Sequence, residues 1–126
     1  MMAQILLVED EILLRDSLQL MLQTAGHSVV TAENGARALD QAARHDGFDV
    51  VITDILMPET DGLEAIMLLR RNSRNVRIVA ISGGGRTRNM DLLEYAKSFG
   101  ADAVLAKPFR PDQLLAAIDR VLGSVM

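Results

Sequence analysis

Ile5-Leu6-Leu7-Val8, followed at once by Glu9-Asp10-Glu11, is the stretch on which the reading of the fold turns. Four consecutive apolar residues without alternation describe a strand buried on both faces, as in a parallel sheet, and not a strand with one wet side. Four further runs are of the same kind: Ser28-Val29-Val30-Thr31, Val50-Val51-Ile52-Thr53, Arg77-Ile78-Val79-Ala80-Ile81 and Ala103-Val104-Leu105-Ala106. Helical periodicity fills the intervals. Leu14, Leu18, Met21, Leu22 and Ala25 make one face closed by Gly26, and Asn34-Gly35 opens a second helix with Ala38, Leu39, Ala42 and Ala43 inward and Gly47 at its end. Leu63, Ile66, Met67 and Leu69 mark a third helix, and Leu92, Leu93, Ala96 and Phe99 before Gly100 a short fourth. Pro111 at a first helical position, then Leu114, Leu115, Ile118, Val121 and Leu122 before Gly123, delimit a fifth. Strand starts recur about every 25 residues, the size of a compact βα unit whose crossover is right-handed. The fold class is therefore α/β, a (βα)₅ doubly wound, open parallel sheet of five strands; five units are too few for a closed eight-fold barrel.

The chain of 126 residues suits a single domain spanning 1–126, with 49% hydrophobic and 24% charged residues, a globular balance. No apolar run approaches the roughly 18 residues a bilayer span needs, and Met1-Met2-Ala3-Gln4 leads into the first strand without a basic region or cleavage site. A cytoplasmic location is expected, with no membrane contact. The absence of Cys excludes disulfide frameworks, thiol catalysis and Cys-ligated zinc. A net charge of −4 argues against direct nucleic-acid binding, which needs clustered Lys and Arg.

In an open parallel sheet the loops after the carboxyl ends of the strands share one rim, where ligands bind at the point of strand-order reversal. Glu9-Asp10-Glu11 follows the first strand, Asp54 the third, Ser82 with Gly83-Gly84-Gly85 the fourth and Lys107-Pro108 the fifth. Singly, each has an ordinary reading: acids complementing a helix N-terminus, a turn serine, a solvated lysine. Together they are chemistry-shaped. Clustered carboxylates repel, and burial adds to the cost unless a cation is supplied. A hard divalent ion such as Mg²⁺ is held by one or two carboxylates while keeping waters for an incoming phosphate. Such a pocket suits phosphoryl transfer to a carboxylate nucleophile. Asp54 is assigned as the attacking group and phosphoacceptor; Glu9, Asp10 and Asp54 hold the metal, with the backbone carbonyl of Leu56 as a further ligand. Lys107 binds one phosphoryl oxygen and Ser82 donates a hydrogen bond to another.

Over essentially its whole length the chain resembles response-regulator receiver domains of two-component signalling, such as the chemotaxis response regulators. The residues that carry the resemblance are Leu6-Leu7-Val8-Glu9-Asp10-Glu11, Asp54-Ile55-Leu56-Met57-Pro58-Glu59-Thr60-Asp61-Gly62, Ile81-Ser82-Gly83 and Lys107-Pro108-Phe109, in the family's order and spacing. The resemblance implies a flavodoxin-like strand order 2-1-3-4-5 and a cis Lys107-Pro108 peptide bond. It further implies a sensor histidine kinase or phosphotransfer protein as donor, a phosphorylation-driven population shift, and a downstream effector docking on the fourth helix, fifth strand and fifth helix. A monomer or phosphorylation-dependent dimer fits, with no turnover activity beyond self-phosphorylation from a donor and slow self-dephosphorylation. Slow loss is expected because Leu56 and Gly84 offer no side chain that orients water.

Two departures from the family stand out. Val104 occupies the place of the usual switch aromatic, so the signal leaves by backbone and helix shifts or through Tyr95 or Phe99. The Gly83-Gly84-Gly85-Arg86 loop is neither G-x-G-x-x-G nor a P-loop; it reads as a turn that can also close on a phosphoryl group. His27 and His45 lie near predicted helix ends and are expected at the surface. Competing functions fit less well. Glu9-Asp10-Glu11 would repel a flavin phosphate, and an Mg²⁺-dependent aspartyl phosphatase needs a second acid that Asp54-Ile55-Leu56 lacks. A degenerate receiver acting only as a scaffold is the more serious rival, and the presence of all the expected reactive side chains counts against it.

Overall fold

The computed structural model describes residues 2–45, 47–54, 62–72, 75–82 and 100–123. Leu56, the Gly83–Arg86 loop, Tyr95 and Phe99, and with them the fourth helical stretch, lie outside the described residues. The elements run β1 (Gln4–Val8), α1 (Ile12–Thr24), β2 (Ser28–Ala32), α2 (Gly35–Arg44), β3 (Val50–Asp54), α3 (Gly62–Asn72), β4 (Arg77–Ser82), β5 (Ala103–Ala106) and α4 (Pro111–Gly123). The last of these is the fifth helical stretch of the sequence.

All strand pairs are parallel and the order is β2-β1-β3-β4-β5, as the resemblance implies. The continuous apolar runs follow from this arrangement, since each interior strand is covered above and below. Period-two alternation then sends neighbours to opposite layers. Leu6, Val51 and Ile78 meet α2 and α3, whereas Leu7, Ile52 and Val79 meet α1 and α4. Burial of Ile66 and Leu69 on one side, and of Leu18, Leu22, Leu114 and Ile118 on the other, seals both layers.

Local signals set the boundaries. Asn34 caps α2 by accepting the Arg37 N–H at 2.8 Å, Pro111 opens α4, and Gly26 and Gly100 take φ of 101° and 116°, conformations that disfavour a Cβ. Four expectations need correction. Ala43 is exposed and Met67 is 41% exposed, because each stands at the edge of its helical stripe, and Ala25 is exposed because α1 stops at Thr24 and leaves it as the C-cap residue past the end of the helix. His27 is buried and not at the surface: the turn after α1 folds it under β1, where Nδ1 accepts the Ala3 N–H at 3.1 Å. His45 is exposed as expected, beside Phe48.

Candidate functional site

The strand order reverses between β1 and β3, since β2 lies on one side of β1 and β4 beyond β3. The chain leaves β1 for one face of the sheet and β3 for the other, opening a crevice at their carboxyl ends. Glu9 is the first residue after β1. Its N–H continues the ladder by donating to the Ala32 carbonyl at 3.0 Å, so its backbone is fixed as firmly as a strand residue. Asp54 is the last residue of β3, paired with Ile81, and not a loop residue after it. Ladder pairing thus fixes the depth of both carboxylates in the rim.

Glu9 is 1% and Asp54 5% exposed, while Asp10 is exposed. One oxygen from each of Glu9, Asp10 and Asp54 can be chosen so that all lie within 4.8 Å of one another. Lys107 enters from the end of β5 and crosses the end of β4. Its Nζ donates to Asp54 Oδ2 at 2.9 Å and to Glu9 Oε1 at 3.2 Å. The Lys107-Pro108 bond is cis, as the resemblance implies. Glu11, the third acid of its run, stands apart as the N-cap position of α1; only its N–H takes part, donating to Glu9 Oε2 at 3.1 Å.

The charges respond as buried acids should. Burial drives the Glu9 carboxyl up to about 7 and Asp54's charge adds to the rise; the Glu11 N–H and the Lys107 amine pull the other way without prevailing. For Lys107 burial works against the charge, but the hydrogen bonds and charges of Asp54 and Glu9 outweigh it and raise the amine above its ordinary value. Two buried acids therefore share one ammonium. Glu9, Asp10 and Asp54 form a cluster of acids that could hold an oxygen-ligated metal ion beside that amine.

The family profile of the response regulator receiver domain matches residues 5–119. The chain belongs to the response regulator receiver domain family. A transcriptional regulatory protein CpxR homolog of Haemophilus influenzae is 33% identical to this receiver domain over 121 residues, 96% of the chain and 51% of the relative. The C4-dicarboxylate transport transcriptional regulatory protein DctD of Pseudomonas aeruginosa is 37% identical over 94% of the chain and 25% of the relative. The receiver domain thus spans about half or less of the curated relatives it matches. Among solved structures, the chemotaxis protein CheY4 of Vibrio cholerae superposes with a TM-score of 0.85 at 35% identity, covering 97% of this chain and all of that one. NtrX of Brucella abortus gives 0.91 at 30% identity, covering 98% of this chain and 28% of that one.

Of the sequence-selected residues, the structure brings together Glu9, Asp10, Asp54 and Lys107. Ser82 ends β4 opposite Ala106, on the same rim, and its side chain lies outside the description, as does Leu56 altogether. Sequence reasoning missed Arg15, whose Nη1 donates to the Glu9 carbonyl at 3.2 Å and steadies the turn that carries the acids. It also missed the direct bond from Lys107 to Glu9. Arg15 lies one helical turn beyond Glu11, which gives no sign of its target.

Proposed function

We propose that this receiver domain accepts a phosphoryl group on Asp54 and relays that event to a partner through a change of conformation. The observation that carries the reading is the Lys107 amine bonded at once to Asp54 and Glu9, carboxylates 53 and 98 residues away in the chain. An Asp54 carboxylate oxygen attacks phosphorus, a P–O bond to Asp54 forms, and the bond to the donor's nitrogen or oxygen breaks, its electron pair leaving with the donor. Lys107 then exchanges its contact with Asp54 for one to a phosphoryl oxygen, and Ser82 at the end of β4 supplies a hydroxyl donor. Glu9, Asp10 and Asp54, with the Leu56 carbonyl, would hold Mg²⁺, which neutralises charge on the transferring oxygens. Movement of Lys107 is felt directly by β5 and α4. With Val104 partly buried against the α2–α3 layer, transmission runs through the backbone of β5 and α4. Their shared face is the docking surface for the effector.

The donor is a sensor histidine kinase or phosphotransfer protein. Exposed Ile12 and Leu13 at the start of α1, and an apolar groove beside Lys107 lined by Leu14, Met21, Pro108 and Phe109, flank the site and offer it a seat. Among the described residues no helix is long and apolar enough to cross a membrane, which accords with a cytoplasmic receiver. The relatives named as transcriptional regulators extend well beyond the matched region, so any DNA output belongs to a segment other than this domain. The test is incubation with acetyl phosphate, read by mass or by phosphate-affinity gel shift, in wild type, Asp54→Asn and EDTA-treated samples. Labelling of wild type alone, only with Mg²⁺ and persisting well beyond seconds after the donor is removed, is expected. Equal labelling of Asp54→Asn would overturn the assignment.

A further inference from the structure

We propose that the open edge of β2 takes up an acidic, extended segment of a partner protein as a sixth strand, gripped by Arg15 on one face of the sheet and Arg37 on the other. Among the described residues β2 pairs with β1 alone. Ser28 donates to the Ala3 carbonyl at 2.9 Å, and the Ala32 carbonyl accepts from Glu9 at 3.0 Å. Because peptide directions alternate along a strand, the N–H and C=O groups of Val29 and Thr31 face outward, and no described residue pairs with them. Natural sheets blunt such edges with Lys, Pro, bulges or a covering element. Ser28-Val29-Val30-Thr31-Ala32 carries no charge and no proline, three of its five residues are β-branched, and its middle residues are only half-buried.

The surroundings specify what would pair there. A polar cleft of about 250 Å³ opens at the carboxyl end of this edge, lined by Arg15, Thr31, Ala32, Glu33, Arg37 and Gln41. Arg15 rises from α1 on one side, and Arg37 and Gln41 from α2 on the other. Arg15 spends one N–H on the Glu9 carbonyl. Among the described residues the Arg37 guanidinium is held only by Glu33 at 3.7 Å, both side chains being about 60% exposed, and the Thr31 hydroxyl has no partner. An added strand projects alternate side chains to opposite faces. Neighbouring carboxylates on it would therefore meet one guanidinium each, while its backbone satisfies Val29 and Thr31. A second copy of β2 would bring no acid to these arginines, which is why an acidic peptide is the better occupant.

The whole chain is titrated with a short fluorescein-labelled peptide in which pairs of Glu separate Val residues. Anisotropy gives the affinity, and amide shifts of the isotope-labelled protein give the location. Saturable binding is expected, with the Val29 and Thr31 amides among those shifted most. Arg37→Gln should weaken it about fivefold and the Arg15→Gln/Arg37→Gln pair by about tenfold or more. A Lys-for-Glu peptide, and one N-methylated along the backbone, should fail to bind. Arg37→Gln labelled by acetyl phosphate as well as wild type confirms that the fold is intact. The proposal is overturned by absence of binding, by binding indifferent to the double variant or shifting other residues, by inorganic phosphate reproducing the same shifts as a small-anion site would, or by self-association through β2.

Discussion

Replacing Asp102 by Ala should cost this domain about 2–3 kcal/mol. Asp102 Oδ2 accepts the Ile78 N–H at 2.8 Å and an Arg70 Nη2 proton at 2.6 Å. Arg70 goes on to the carbonyls of Gly100, at 2.8 Å, and Val76, so one guanidinium staples α3 to the start of β4 and the turn before β5. Ile78 is 0% exposed; once stripped of its acceptor, its N–H finds no water, a loss of about 1–3 kcal/mol. The ion pair itself, with side chains 25% and 29% exposed, adds only about 0.5–1 kcal/mol because solvent screens it. Against a typical total of roughly 5–15 kcal/mol that is a large fraction, and at about 3–5 °C per kcal/mol the melting temperature should fall by roughly 10 °C. Urea denaturation followed by far-ultraviolet circular dichroism is the assay, since the chain has no Trp. Asp102→Asn keeps an acceptor for Ile78 and should lose only about 1 kcal/mol. A double-mutant cycle with Arg70→Met should show coupling of about 1 kcal/mol or more. A loss below about 0.5 kcal/mol for Asp102→Ala would mean that the Ile78 amide is satisfied without it, and the reasoning would be wrong.

Gly100→Ala should destabilise by about 1–2 kcal/mol, read in the same urea titration, because its φ of 116° suits glycine and a Cβ would stand 3.4 Å from Arg70 Nε. Wild-type stability at that position would refute this. Lys107→Met leaves Glu9 and Asp54 buried beside each other without their cation; in EDTA it should lose about 2 kcal/mol, less than a fully buried pair because the lysine is 20% exposed. Mg²⁺ should restore most of the loss, and indifference to Mg²⁺ would count against the metal assignment. The pH dependence of the metal-free protein has a definite sign. Glu9 is raised from 4.5 to about 7, so the folded state binds more protons than the unfolded between those values. This contribution to stability is complete below the lower value and lost as pH rises through the upper. Urea midpoints in EDTA should therefore be higher at about pH 5 than at about pH 8 through this group, Glu9→Gln should flatten the difference, and a variant with the wild-type slope would refute it.

Much of this was legible in the chain itself. The runs around Leu6, Ile52 and Val79 announced strands because an interior parallel strand tolerates polar side chains on neither face, and Asn34, Gly26 and Pro111 marked boundaries through chemistry confined to their own backbone. The residues Glu9, Asp10, Asp54 and Lys107 could be selected in advance because each follows a strand run, and parallel strands must all end on one rim. His27 could not be placed so. Its burial depends on the Ala3 backbone, 24 residues away, and the residues around it carry no pattern that points there. Ala43 and Met67 misled for a related reason, since periodicity gives the direction of a helical stripe but not its width, and Ala25 because periodicity does not say at which residue the helix stops.

Sequence alone determined the (βα)₅ class, the element boundaries and the candidate acids, because these depend on apolar periodicity and on backbone preferences within a few residues. Only the tertiary structure decided that Lys107 bonds to both Glu9 and Asp54, that Arg15 braces the Glu9 turn, that Arg70 finds Asp102, and that β2 has no strand beyond it among the described residues. Those outcomes depend on which strands become neighbours and at what register. Register is a property of the assembled sheet, fixed when both apolar faces are buried at once, and no local stretch of the chain encodes it.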